Sequence, residues 1–216
     1  MLFDQIVAFI GITALSPVFV VFAILVRLTS SGPAFYVQER IGRNAKPFRL
    51  LKFRTMTVAK PSTDTRQITV AGDARITPLG HFLRRYKLDE LPQLINVLVR
   101  HMRLVGPRPE VAKYVAYYRG EQHRVLSVHP GITDIATLYY RNESDELAAA
   151  DDPETYYVET VLPRKLHLNL LYIDSRTFLS DIRVILLTAL VSISPTSGAR
   201  YVRNWIEKRY LADISM

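Results

Sequence analysis

The first thirty residues are almost entirely apolar, unlike the rest of the chain. Residues 6–26 form a run of 21 residues without a charge, which at about 1.5 Å per helical residue is long enough to cross a hydrocarbon core of roughly 30 Å. A cleaved signal peptide fits poorly, because Asp4 stands where such peptides are basic and no small-residue cleavage site follows. The pattern therefore predicts a retained membrane helix.

Ser16 and Pro17 lie near the middle of this run. Proline lacks a backbone donor and its ring collides with the carbonyl four residues earlier, so a sharp bend is predicted. From the pattern alone the commoner arrangement, a proline-kinked span, is preferred to a re-entrant hairpin that enters and leaves by one face. Basic residues follow the segment, namely Arg27, Arg40 and Arg43. They predict that the large domain is cytoplasmic.

Beyond residue 30 the hydrophobic pattern predicts an α+β domain that is mostly α-helical, with a small β-hairpin. Residues 34–37 and 48–53 read as strands around a turn at 42–46. Apolar residues at helical spacing predict helices at 78–86, 92–102, 110–126 and 178–193. Residues 58–74 are predicted to be a mobile loop, and residues 132–140 a short extended segment.

Two C-terminal stretches suit a membrane surface. The helix at 178–193 is too short for a comfortable span and has a wide apolar face, so it is either a buried core helix or an interfacial one. The stretch at 200–210 mixes aromatic and basic residues, as membrane-surface helices do, although a plain amphipathic tail has the same pattern.

The charge pattern indicates an anionic ligand. The net charge is +8, and residues 41–130 carry 17 Lys and Arg against six Asp and Glu. A basic region of this kind suits the phosphates of nucleic acid, lipid headgroups or a nucleotide, and charge alone does not choose among them. The chain has no cysteine, which excludes disulfides, thiolate metal sites and a thiol nucleophile.

Two adjacent carboxylates, Asp89 and Glu90, precede the predicted helix that starts at Pro92. Side chains one residue apart on a helix point about 100° apart, so one carboxylate can attack phosphorus while the other holds a divalent cation. Acidic residues also favour helix N-termini simply as caps, and without further context capping is the commoner role.

Several bases could bind a diphosphate near this pair. Arginine grips phosphate oxygens in a fork, and Arg108 is the most specific candidate, because Pro107 and Pro109 stiffen the backbone on both sides. A solvated arginine in a helix-ending loop is the competing interpretation. The other candidates are Arg84, Arg85, Arg75, Lys52 and Arg54.

These motifs together resemble the bacterial sugar transferases, specifically the monotopic phosphoglycosyl transferases. The resemblance rests on LDELPQLINV at 88–97 and GPRPE at 106–110, with support from RIT at 75–77, KFRTM at 52–56 and PGIT at 130–133. It covers nearly the whole chain.

The resemblance implies an enzyme with a covalent intermediate. Asp89 matches the nucleophile that attacks the β-phosphate of a UDP-sugar and expels UMP, after which polyprenol (undecaprenyl) phosphate takes the phosphosugar. Glu90 matches the partner acid associated with Mg²⁺, so the pair is the expected metal site. Arg108 matches the loop associated with nucleotide-sugar binding.

The resemblance also implies a topology. Residues 1–29 would form a re-entrant membrane hairpin broken at Ser16 and Pro17, which reverses the preference drawn from the pattern alone. Residues 30–216 would form a catalytic domain with interfacial amphipathic helices, on the cytoplasmic face of a bacterial inner membrane and in contact with its lipids. The transferred sugar, the glycan pathway and the oligomeric state stay open.

Some positions depart from the family pattern. Arg100 and His101 stand where relatives commonly have glycine and an acidic residue, and Arg103 replaces a usual serine. The stretch at 133–141 also lacks the usual glycine and Gln-Val-Asn/Ser-Gly, and we expect this region to bear on the choice of sugar.

A non-catalytic alternative is a membrane-anchored basic module that binds acidic lipids. It predicts salt-sensitive binding that is indifferent to Asp89. Nucleic acid is not an expected partner, because no recognised nucleic-acid motif accompanies the basic stretch.

Overall fold

Helices dominate the fold, as predicted. The structure, a computed structural model, describes residues 1–57 and 68–211. The helices in this part are α1 Leu2–Thr29, α2 Pro78–Arg85, α3 Gln93–Leu98, α4 Ala112–Val115, α5 Ile135–Tyr139, α6 Glu143–Ala148, α7 Pro153–Tyr156, α8 Leu162–Ser175, α9 Phe178–Ile193 and α10 Ser197–Ile206. Shorter 3₁₀ turns span Arg43–Ala45, Leu88–Glu90 and Gly120–Ser127, and π-helical turns span Tyr157–Val161 and Glu207–Leu211.

The predicted hairpin is present. Strands β1 Phe35–Ile41 and β2 Pro47–Phe53 pair antiparallel, with Phe35 opposite Phe53 and Ile41 opposite Pro47. Asn96 fixes the hairpin to α3, because its side-chain amide accepts from the Leu51 N–H at 3.0 Å and donates to the Arg49 carbonyl at 2.7 Å. This contact brings the end of β2 beside the residues that precede α3.

The prediction of an extended segment at 132–140 is mostly wrong. Only β4, Gly131–Thr133, is a strand, and it pairs in parallel with β3, Arg103–Val105. The chain then turns into α5, because the Asp134 carboxylate caps the helix by accepting from the Thr137 N–H at 2.7 Å.

The other predicted helices hold to differing degrees. Those at 78–86 and 178–193 match α2 and α9, and the one at 92–102 is shorter, as α3. The helix predicted at 110–126 is divided between α4 and the 3₁₀ turn Gly120–Ser127. Of the loop predicted at 58–74, residues 58–67 lie outside the described residues.

A break was predicted at Ser16 and Pro17, and in α1 the helical conformation continues through both residues. The Ser16 hydroxyl donates to the Thr13 carbonyl at 2.8 Å. That carbonyl is the one the missing proline N–H would have served, so the serine compensates for the lost bond. Among the described residues, α1 is the one helix long and apolar enough to cross a membrane.

Both ends of α1 contact the rest of the molecule. Near its start, the Asp4 carboxylate accepts from the Leu104 N–H at 3.1 Å. At its end, the Arg54 guanidinium donates to the Ser30 carbonyl at 2.7 Å. Ala8 and Val26 are fully buried within separate hydrophobic clusters, so α1 lies along the domain.

Two of the residues expected to differ from the family pattern, Arg100 and Arg103, contact α1. Arg100 donates to the Gln5 side chain at 3.2 Å, and Arg103 pairs with Asp4 at 3.4 Å. Arg103 also lies 3.7 Å from the carboxylate of Asp181 in α9. Arg103, the first residue of β3, therefore connects α1 with α9.

Candidate active site

The two predicted carboxylates lie together in a buried turn. Helix α2 ends beside Tyr86, Lys87 adopts a left-handed conformation, and the 3₁₀ turn Leu88–Glu90 follows. Asp89 and Glu90 are 6% and 7% exposed. Buried carboxylates require charge partners or hydrogen bonds, so the surrounding side chains decide what each one can do.

Glu90 is held by two cations. Arg108 donates to it through a fork, with Nη1 to Oε2 at 3.1 Å and Nη2 to Oε1 at 2.5 Å. The Lys52 ammonium donates to Oε1 at 3.3 Å. Burial alone raises the pKa of Glu90, but Arg108, Lys52 and Lys87 outweigh it and hold that pKa well below its usual range. Glu90 is therefore ionised.

Asp89 differs from its neighbour. Its Oδ1 is buried and has no hydrogen-bond partner among the described residues. Burial and the adjacent Glu90 charge raise the pKa of Asp89, although nearby cations oppose the rise. The environments of the pair push their pKa values in opposite directions, which is how enzymes divide roles between two carboxylates.

Arg108 is positioned by a close contact between two backbone segments. Gly106 packs so tightly against Gly131 that a Cβ on either residue would overlap the other segment. The Arg108 N–H donates to the buried Asp134 carboxylate at 3.0 Å. These contacts, with the flanking prolines, fix the backbone from which the guanidinium reaches Glu90.

Two further predicted bases face the pair. Lys52 comes from the end of β2, and burial lowers its pKa to about 8 even though Glu90 opposes the shift. Arg84 comes from α2, where its Nε donates to the Thr55 hydroxyl at 2.9 Å. Burial lowers the pKa of Arg84, and Asp89 is the strongest charge opposing that shift.

Three predicted bases are engaged elsewhere. Arg54 donates to Ser30 at the end of α1, so its guanidinium serves that helix and not the carboxylate pair. Arg85 is exposed, with its guanidinium over the Tyr86 ring. Arg75 pairs with Asp73 at 2.6 Å.

Three residues of the site were not predicted from the sequence. Lys87 and Arg141 have charges that face Glu90, and Arg141 donates to the Arg85 carbonyl at 2.7 Å. Asp134 anchors Arg108. Lys87 could have been found from its place two residues before Asp89, whereas Arg141 and Asp134 come close only through the fold.

Of the two carboxylates predicted to hold Mg²⁺, only Asp89 has a buried oxygen without a hydrogen-bond partner among the described residues. Among the described residues no three His, Cys, Asp or Glu side chains cluster as a metal site. Magnesium, however, often takes only one or two carboxylates together with substrate phosphates and waters. Asp89 Oδ1 is free to coordinate, while both oxygens of Glu90 already accept hydrogen bonds.

The site as a whole favours an anion. Five cationic side chains surround the two carboxylates, namely Lys52, Arg84, Lys87, Arg108 and Arg141. Excess positive charge in a partly buried site binds phosphate groups strongly, because screening by water is weak there.

Comparisons with known proteins agree with this chemistry. The model of the family described as "Bacterial sugar transferase" matches residues 1–195. The chain is 36% identical over 191 residues to the UDP-glucose:undecaprenyl-phosphate glucose-1-phosphate transferase of Xanthomonas campestris pv. campestris, a match that covers 87% of this chain and 37% of the relative.

Two other relatives give similar values. The enzyme of the same description in Klebsiella pneumoniae is 36% identical over 86% of this chain and 38% of its own. The uncharacterized sugar transferase EpsL of Bacillus subtilis (strain 168) is 35% identical over 87% of this chain and 83% of its own. The chain thus spans less than two fifths of the two glucose-1-phosphate transferases.

Proposed function

The chain belongs to the bacterial sugar transferase family, and on that premise we propose that it transfers a phosphosugar from a UDP-sugar to polyprenol phosphate. The observation that carries the proposal is the environment of the Asp89 carboxylate. Its carboxylate has a buried, unpaired oxygen and a raised pKa amid cationic side chains. A basic oxygen beside a phosphate-binding cluster suits nucleophilic attack on phosphorus.

The proposed reaction has two displacement steps. In the first, an Asp89 oxygen forms a bond to the β-phosphorus of the UDP-sugar, and the bond from that phosphorus to the bridging oxygen breaks. UMP leaves with the electron pair. In the second step, a phosphate oxygen of the lipid acceptor attacks the same phosphorus and releases the Asp89 carboxylate, so the product carries a diphosphate between lipid and sugar.

The neighbours of Asp89 bind and orient the donor. Arg108 has five N–H donors, of which Glu90 uses two, so others are available for phosphate oxygens. Arg84 of α2 and Lys52 of β2 add positive charge beside the carboxylates. A magnesium ion bound by the carboxylates and the diphosphate would supply further charge neutralisation when present.

The contacts of α1 support a monotopic arrangement. A helix of 28 residues is about 42 Å long, so a true span would carry its two ends to opposite membrane faces. Yet Asp4 and Ser30 both contact the same polar domain. We propose that α1 enters the cytoplasmic leaflet of the inner membrane and stays with the domain, which keeps the site within reach of a lipid phosphate.

Helix α9 is the second proposed membrane contact. Its exposed apolar residues are Phe178, Leu179, Leu186, Leu190 and Ile193. The Phe178 ring packs edge-on against Phe3 of α1, with 5.2 Å between ring centroids. The apolar surface of α9 is therefore continuous with that of α1, as an interfacial helix requires.

Release of UMP tests the proposal. Purified protein incubated with UDP-sugars, undecaprenyl phosphate and Mg²⁺ should release UMP with at least one sugar. Asp89→Asn should abolish both this release and covalent labelling by the donor. Asp151→Asn, which removes an exposed acid outside the site, is the matched control and should be active.

Two results would contradict the proposal. If no UMP is released with any plausible UDP-sugar, the proposed activity is contradicted. If Asp89→Asn is still labelled covalently by the donor, the nucleophile is another residue. The alternative of a lipid-binding module predicts instead that Asp89→Asn is indistinguishable from the parent in salt-sensitive binding to acidic vesicles.

A further inference from the structure

Lys87 has a backbone conformation that lysine rarely adopts. Its φ and ψ are 58° and 22°, in the left-handed region. For a residue with a Cβ this conformation costs about 1 kcal/mol or more. The Lys87 N–H and carbonyl are both bonded, to Arg84 and Glu90 respectively. The strained residue thus forms the turn that leads from α2 to the carboxylates.

The Lys87 side chain also stands apart from its cationic neighbours. Lys52 and Arg108 donate to Glu90, Arg84 donates to Thr55, and Arg141 donates to a backbone carbonyl. The half-buried ammonium of Lys87 forms no hydrogen bond or ion pair within the described part of the chain. Its charge nevertheless faces Asp89, Glu90, Arg108 and Arg141.

A half-buried cation without a partner is costly, because it loses hydration and gains no charge-assisted bond in return. At the same position glycine or asparagine would also fit the left-handed backbone better. A lysine here is therefore explained neither by its backbone conformation nor by a direct hydrogen bond or ion pair. An anion that arrives at Asp89 would supply the missing partner.

We propose that the Lys87 ammonium is a substrate-binding group, which donates hydrogen bonds to phosphoryl oxygens of the ligand that reacts at Asp89. The inference rests on the proposed function and adds a residue to it. Lys87 is two residues from Asp89, so its charge acts close to the reacting phosphorus.

Phosphoryl oxygens reach Asp89 from two sources, the diphosphate of the soluble donor and the phosphate of the lipid acceptor. The two half-reactions separate these sources. Single-turnover release of UMP without acceptor measures the donor step. Transfer from the preformed phosphosugar enzyme to undecaprenyl phosphate measures the acceptor step.

Three substitutions separate charge from backbone conformation. Lys87→Ala removes the ammonium and keeps the strain, Lys87→Gly removes the ammonium and relieves the strain, and Lys87→Arg keeps a positive charge. Lys46→Ala is the control, since it removes an exposed lysine of the hairpin turn. Thermal unfolding of each variant checks that the fold is intact.

We expect Lys87→Ala and Lys87→Gly to slow one half-reaction about ten- to hundredfold, the range of one charge-assisted hydrogen bond. Lys87→Arg should recover much of the rate, and Lys46→Ala should match the parent. A slow donor step, with a raised KM for the UDP-sugar, identifies the diphosphate as the ligand. A defect confined to the acceptor step identifies the lipid phosphate.

Three results would overturn the inference. Parental rates in both half-reactions for the glycine variant would assign Lys87 a backbone role only. Parental rates for the alanine variant would assign it none, and an arginine variant as slow as the alanine variant would exclude a role of charge. Loss of all activity in Asp89→Asn beside an active Lys87→Gly would leave the proposed function standing while removing Lys87 from it.

Discussion

At the scale of single residues, Lys52 connects the hairpin to the carboxylate pair through one hydrogen bond to Glu90. Its pKa is about 8 in the folded protein, against 10.5 for the ordinary side chain. Between these two values the unfolded chain binds a proton that the folded protein has lost. The Lys52 contribution to the free energy of unfolding therefore rises with pH across this window.

The same pKa predicts a pH limit on activity. As the pH rises past about 8, Lys52 loses its positive charge. Neither Glu90 nor a bound phosphate is then stabilised by that charge. We expect kcat/KM for UMP release to fall above this pH in the parent. Lys52→Arg, which stays charged throughout, should keep its rate to higher pH. An unchanged alkaline limb in Lys52→Arg would contradict this assignment.

Arg100 illustrates how one residue can serve two opposing purposes. Its φ is 65°, a left-handed conformation that suits glycine. Its side chain donates to Gln5 in α1. The arginine therefore gains a tether to α1 at the cost of backbone strain.

Comparing Arg100→Gly with Arg100→Ala separates these effects, because both lose the tether and only glycine relieves the strain. We expect the glycine variant to be more stable than the alanine variant by about 1 kcal/mol, after allowing for the entropy of glycine in the unfolded chain. Denaturant unfolding in detergent measures the difference. Equal stability of the two variants would mean that the left-handed conformation costs nothing.

Only part of the candidate site could be predicted from the sequence. It identified the carboxylates and Arg108 from their local strings, and the fold brings Lys52 and Arg84 beside them. Arg54 and Arg85 were as basic and as near in sequence, but side-chain direction sends them to Ser30 and to the Tyr86 ring. Such directions depend on the packing of α1 and α2, which composition does not report.

At the scale of elements, the contacts of α1 predict on which side of the membrane each of its ends lies. The chain lacks cysteine, so Leu2→Cys and Thr29→Cys each provide a single label site. Because both ends of α1 contact the same domain, both cysteines should react with an impermeant maleimide from the cytoplasmic side. Asp151→Cys marks that side. Reaction of position 2 from the periplasm alone would establish a span.

Elements with strong local periodicity were predicted well. Helix α9 has the predicted bounds because its apolar spacing begins directly after the Thr177 cap. The β3 and β4 pairing was missed, since two three-residue strands leave little pattern and join positions far apart in sequence. The missed start of α5 depended on a cap by Asp134, which is also a feature of turns.

At the scale of the whole molecule, α1 and α9 both expose apolar residues, and the two helices meet where Phe3 packs against Phe178. Leu179 and Ile193 are 77% and 81% exposed, and immersion of each in lipid is worth about 2 kcal/mol. The hydrophobic pattern alone left α9 undecided between core and interface. Part of the helix belongs to the core, because Val184 and Val191 are fully buried, and its exposed apolar face is the one that we propose to contact the membrane.

Charges on this surface should impair the lipid step selectively. We expect Leu179→Glu with Ile193→Glu to weaken binding to liposomes and to slow transfer to undecaprenyl phosphate about tenfold or more. Single-turnover UMP release from the soluble donor should be unaffected. Tyr117→Glu places the same charge on an exposed aromatic residue outside α9 and serves as the control. Equal loss in both steps would indicate damage to the fold instead.

The packing of α1 also has a consequence for how the protein is made. Val26 completes a cluster with Phe53 and Leu83, and Ala8 belongs to the main core. The residues that cover the inner face of α1 are synthesised after the helix itself. Deletion of α1 to obtain a water-soluble protein would therefore expose two parts of the interior to solvent. Expression of that shortened protein should give aggregates.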